Sequence, residues 1–174
     1  MPSDPSGVHP KGVLARPAPD FFDDNMGVGG YWAQPAGTFP YLTISLFNDA
    51  NSGVMLKVYG ITNGDDAGFG TFLYQRQGAP LGSFVCQCQN VNPMLGTTYG
   101  QIWQRVDNTA TVTSPYPLPL PANTQILATP GFASQTIGLG FPIAIIPVGW
   151  SLVTANANNA GTIYTSYWFQ LANE

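Results

Sequence analysis

Leu42-Thr43-Ile44-Ser45-Leu46, the cluster Asn48-Asp49-Ala50-Asn51-Ser52-Gly53, and Val54-Met55-Leu56-Lys57-Val58-Tyr59 together decide the fold class. In the first run Leu42, Ile44 and Leu46 face one way while Thr43 and Ser45 face the other. In the second, Val54, Leu56 and Val58 oppose Met55, Lys57 and Tyr59. A period of two marks strands with one face in a core. The Asn/Asp/Ser/Gly cluster between them is turn chemistry.

The same punctuation continues outward. Asn63-Gly64-Asp65-Asp66-Ala67-Gly68 reads as a second turn. Short strands are predicted near Phe72–Gln75, Phe84–Gln89, Gln101–Val106, Thr124–Ala128, Ile143–Thr154 and Thr162–Leu171. No stretch sustains a 3.6-residue period. About eight short antiparallel strands in roughly 135 residues predict an all-β fold. The expected form is a two-sheet antiparallel β-sandwich, jelly-roll-like.

Residues 1–38 read differently. Pro2, Pro5, Pro10, Pro17, Pro19 and Pro35, with Gly27, Gly29 and Gly30, argue against a helix or a central strand. This segment is expected to be an extended arm, with residues 39–174 forming the sandwich. Phe21, Phe22, Tyr31, Trp32 and, at its border, Phe39 would not serve a free linker. The arm is therefore expected to lie on its own domain or on a neighbouring subunit. Ser114-Pro115-Tyr116-Pro117-Leu118-Pro119-Leu120-Pro121 is expected to be polyproline-II-like, a rigid crossover or a docked surface strip.

Composition narrows the function. The chain has 174 residues, enough for one domain with a real core. Charged residues make up 8%, against ~25% in average soluble proteins, and the formal net charge is -4. Five basic residues make a poor phosphate-backbone binder, so no direct nucleic-acid partner is expected. The one His and the one Glu, His9 and Glu174, sit near the two ends. General acid–base and metal chemistry have little to draw on, and no enzyme, catalytic residue, cofactor or metal is expected. Asp23-Asp24 and Asp65-Asp66 are neighbours whose side chains point apart in a strand, and each reads as a solvated turn. Gly68-Phe69-Gly70 lacks the third glycine of a phosphate loop.

The longest apolar run, Phe141 to Trp150, contains Pro142 and Pro147 and is too short to span a bilayer, so no membrane partner is expected. Met1-Pro2-Ser3-Asp4-Pro5-Ser6-Gly7 has neither a basic start nor an apolar stretch and does not read as a signal peptide. Cys86 and Cys88, two apart, would share one face of a strand with parallel side chains. They are expected to be free thiols, as in a reducing compartment.

From Asn108 to Asn173 there is no charged residue. Charge depletion with aromatic enrichment is the pattern of an interface centre. On the last strand Tyr164 and Trp168 should face away from Tyr167 and Phe169. One face is expected to pack the core and the other to meet a partner or ligand. The candidate interface residues are thus Phe21, Phe22, Tyr31, Trp32, Phe39, Tyr164 and Trp168. Trp32, Trp103, Trp150, Trp168 and the tyrosines could also stack on sugars, so a glycan is a possible partner.

Two stretches carry a resemblance. One is Asn48-x-x-Asn51-Ser52-Gly53-x-x-Leu56-x-Val58. The other is Ile146-Pro147-Val148-Gly149-Trp150-Ser151-Leu152, followed by Tyr164 to Phe169. The pairing resembles small β-sandwich structural proteins of tailed bacteriophages, especially capsid decoration or cement proteins. That resemblance implies a jelly-roll domain, commonly a homotrimer, seated where capsid subunits meet. Its partners would be the major capsid protein and its own copies. It would be found on the virion capsid surface after assembly in the bacterial host cytoplasm, tying subunits together and stabilising the head. The alternative is a glycan- or receptor-binding β-sandwich module of a phage fibre or spike.

Overall fold

Alternating apolar residues become strands because one face can be buried while the backbone pairs sideways. The computed structural model describes residues 26–33, 39–65, 71–80, 82–107, 125–128, 135–138, 142–159 and 163–173. They form β1 (Met26–Ala33), β2 (Phe39–Asn48), β3 (Val54–Asp65), β4 (Thr71–Gln77), β5 (Ser83–Asn90) and β6 (Thr97–Asp107). Then follow β7 (Gln125–Ala128), β8 (Gln135–Gly138), β9 (Ala144–Ile146), β10 (Trp150–Asn159) and β11 (Ile163–Asn173). The only helical piece among the described residues is a single 3-10 turn, Pro93–Leu95. Phe21, Phe22, the Asp23-Asp24 pair, Gly68 to Gly70 and the Pro-rich stretch 114–121 lie outside the described residues.

The pairing is that of a jelly roll. All ladders are antiparallel, in the order β7-β4-β10-β2-β6-β5-β1-β11-β3-β8, with β9 also on β3. β8 and β9 lie end to end along the same edge of β3, so they act as one interrupted strand. Set the β5–β6 hairpin aside, and first pairs with last (β1 with β11) and second with last but one (β2 with β10). Third and sixth (β3 with β8/β9) and fourth and fifth (β4 with β7) complete the nesting. This is a long hairpin rolled up until β3 also meets β11 and β4 also meets β10. One sheet is β1-β11-β3-β8/β9 and the other is β2-β10-β4-β7. The β5–β6 hairpin joins them: β6 pairs β2 and β5 pairs β1. The β5–β6 ladder shifts register twice, which lets it bend from one sheet to the other.

The core lies between the sheets. Leu42, Ile44, Leu46, Ile102, Leu73 and Leu152 come from one side, and Leu56, Val58, Ile61, Ile146, Tyr167 and Phe169 from the other. Each fully buried aliphatic or aromatic side chain of this kind contributes about 1.5–3 kcal/mol. Two buried polar side chains bridge the gap. The Tyr167 hydroxyl donates to the Ile44 carbonyl at 2.7 Å and lies 2.7 Å from Thr154 Oγ1. Gln75 Nε2 donates to the Ile145 carbonyl at 2.7 Å, tying β4 to β9 on the side away from the hairpin.

Two expectations change. Met26–Ala33, read as part of the arm and as no central strand, lies within the sheet, paired to β11 along its whole length and to β5 at one end. The glycines are the reason. A Cβ on Gly27 would strike the Phe169 ring, and one on Gly29 would strike the Cys88 sulfur. These positions lack side chains because larger neighbours fill the space. The predicted strand Ile143–Thr154 is also two strands, β9 and β10, in different sheets. Between them Trp150 N donates to the Pro147 carbonyl at 3.1 Å, and Gly149 takes φ 73°. That is a turn whose third position requires positive φ, and glycine supplies it.

Candidate functional site

Among the described residues the space between the sheets is filled by side chains. Of the seven candidate interface residues, Phe21 and Phe22 lie outside the described residues. Phe39 opens β2 opposite Asn159, and its side chain is not among those described. Tyr31 faces inward and packs, partly buried, against the core. Trp32, Tyr164 and Trp168 share the outer face of the β1-β11-β3 sheet.

Register builds this face row by row. Trp32 sits opposite Tyr164, which sits opposite Gly64. The next outward row is Gly30, Ser166, Thr62, and the one after it Val28, Trp168, Gly60. Trp32 is 65% exposed and Tyr164 43%. A Cβ on Gly64 would meet the tip of the Tyr164 ring, and one on Gly60 would lie 2.5 Å from Trp168 Cε3 and 3.3 Å from Cζ3. Both rings therefore lean from β11 over the bare backbone of β3. A register shift opposite Trp168/Phe169 adds Tyr59 as an extra residue on β3, and its hydroxyl reaches Gln170 Oε1 at 3.4 Å.

A second surface went unread in the sequence. The β5–β6 hairpin exposes Phe84, Met94, Leu95 and Tyr99, with Met94 89% exposed. Phe84 and Trp103 meet edge to face, with centroids 5.9 Å apart. The turn is rigidly built: Asn92 caps Met94 N at 3.1 Å, and Asn90 N donates to the Gly96 carbonyl at 2.8 Å. Its signal in the sequence was the pair Met94-Leu95 inside a turn, where polar residues are the rule.

No protein-family model, curated protein or solved structure matches this chain.

The titratable groups in the core are structural. Among the described residues no three of His, Cys, Asp and Glu cluster as a metal site. Asp49 accepts from Asn51 N at 2.8 Å and from Gln101 Nε2 at 2.7 Å, which ties the turn to β6. Cys86 and Cys88 are free thiols. Burial pushes the Cys88 thiol well above its ordinary range, with a smaller push from Cys86, and pushes Cys86 up as well. The Tyr167 phenol is also driven up by burial, against the partial relief of its Thr154 hydrogen bond.

Raised acids make an alkaline liability. The native state keeps protons that the unfolded chain releases, so this stability is complete below the unfolded thiol value of about 8.5. It declines as pH climbs through that value and through the phenol value of about 10. The urea midpoint is expected to fall between neutral and strongly alkaline pH, and Cys88→Ala should reduce the earlier part of the fall, leaving the share of Cys86. A midpoint indifferent to pH over that window would contradict the buried placement of these groups.

Proposed function

We propose that this chain is a structural protein of a virion, a cement or decoration protein on the capsid of a tailed bacteriophage. In this reading it ties neighbouring capsid subunits together and stabilises the head. The observation that carries the reading is the exposed apolar hairpin. Phe84, Met94, Leu95 and Tyr99 are held out on a hairpin that is itself fixed to both sheets. Apolar side chains on a braced projection match a fixed apolar seat on a partner better than a mobile ligand.

Two further points support it. A jelly roll filled with side chains acts through its surface, and this architecture serves viral capsids as well as lectins, an argument by analogy of fold. The resemblance carried by Asn48 to Val58 and Ile146 to Phe169 points the same way. Its partners would be the major capsid protein and its own copies, and a homotrimer would multiply weak single contacts into firm attachment.

The test is attachment. Added to heads of the encoding phage from which it has been removed, the native chain should co-sediment and raise the temperature at which the heads open. Met94→Asp with Leu95→Asp should lose attachment and keep its own thermal transition. Native chain that stays in the supernatant would sink the reading.

A further inference from the structure

The face formed by β1, β11 and β3 does not resemble the hairpin patch. Its middle row, Gly30, Ser166 and Thr62, offers hydroxyls and bare backbone and no aliphatic side chain. The rings stand on either side of that row. Tyr164 and Trp168, four residues apart on β11, are about 13 Å apart along the strand. Trp32, directly across from Tyr164, widens the first ring platform. Tyr164, which is exposed, and Trp168, which is half-buried, lean over Gly64 and Gly60, so each has backbone on one side. A protein interface core needs interlocking apolar knobs, and the Gly30-Ser166-Thr62 row between these rings has none.

Charge narrows the ligand. Lys57, opposite Gln170 at one end, is the single charged side chain described on this face. The charge pattern therefore complements an uncharged ligand. A sugar ring fits the chemistry: its C–H face carries slight positive charge and meets the negative face of an aromatic ring, while its hydroxyls seek amides and hydroxyls at the rim. Ser166 and Thr62 in the middle row, with Gln170 and the Tyr59 hydroxyl beyond Trp168, are groups of that kind.

We propose that the outer face of β1, β11 and β3 binds a neutral oligosaccharide, with sugar rings stacked on Trp32, Tyr164 and Trp168 on either side of the Gly30-Ser166-Thr62 row. The site does not depend on the capsid reading. It uses a different surface from the hairpin, and each can fail alone.

The test uses the full chain and hexamers of β-linked glucose, α-linked glucose, N-acetylglucosamine, mannose and galactose, with polygalacturonate as the anionic comparison. Tryptophan fluorescence and calorimetry read binding. At least one neutral hexamer should bind saturably. Trp32→Ala should weaken that binding about tenfold or more and leave the thermal transition in place, since Trp32 is mostly exposed. Tyr99→Ala, on the hairpin, should bind as the native chain does. Four results would overturn the proposal. They are no neutral hexamer bound at millimolar concentration, native affinity in Trp32→Ala, binding of the anionic polymer alone, or Trp32-dependent self-association in place of sugar binding.

Discussion

Phe169→Ala is expected to lower stability by about 3–5 kcal/mol, at the upper end for a core truncation. Phe169 is fully buried and belongs to β11, yet its ring crosses the interior. A Cβ on Gly27 of β1 would strike it, and one on Gly100 of β6 would lie 2.7 Å from its Cζ. The ring thus occupies space that two glycines leave vacant, next to Leu46 and Cys88 around Gly100. Truncation opens a cavity lined partly by backbone, which cannot swing inward as a side chain would. The loss is a large share of the ~5–15 kcal/mol that holds a domain folded. Urea denaturation followed by tryptophan fluorescence measures it. A loss below about 1 kcal/mol would mean that the site collapses, contrary to the packing described.

That same ring explains why the sequence of β1 does not look like a strand. Gly27, Gly29 and Gly30 look like chain punctuation, and proline-rich sequence precedes them. Their meaning lies in what sits opposite: Phe169 for Gly27, the Cys88 sulfur for Gly29, Ser166 for Gly30. Those partners are set by register between strands far apart in sequence, which local periodicity does not carry. β2 and β3 were legible because their alternation is local. Alternation does not carry everything even there: Thr43 and Ser45, on the face away from Leu42, Ile44 and Leu46, are buried as well.

The candidate surfaces divide along the same line. Tyr164 and Trp168 share a face by simple alternation, and that much follows from counting residues. The direct pairing of Trp32 with Tyr164, and the glycines beneath the rings, needed the ladder. Tyr31, one residue from Trp32, turns inward for the same reason that Trp32 turns out. The hairpin tip was missed although Met94-Leu95 in a turn is a local anomaly. An apolar pair in a loop is visible only when loops are read for what they should lack.

Asn48→Ala is expected to cost about 2–4 kcal/mol, a large effect for the loss of one small polar side chain. Asn48 ends β2 and is fully buried. Its Nδ2 donates to the Val54 carbonyl at 2.7 Å and to the Ile146 carbonyl at 3.1 Å, while its own carbonyl accepts from Gly149 N at 3.0 Å. The turn Asn51-Ser52-Gly53 and the stretch Pro147-Val148-Gly149 are thus halves of one clamp. It fastens β2 of one sheet to β3 and β9 of the other. Alanine leaves two carbonyls without this donor. Oδ1 has no hydrogen-bond partner among the described residues, so the residue is needed for its N–H groups. Asn48→Asp separates this account from simple loss of volume. At neutral pH it would set a carboxylate against two carbonyl oxygens, with the charge penalised by burial as well. It should then be less stable than Asn48→Ala despite its better fit. Its folded-state pKa would be raised, so stability should recover as pH falls through that value, when a protonated carboxyl regains one donor. Equal stability of the two variants at every pH would show that Asn48 fills space and does not act as a clamp.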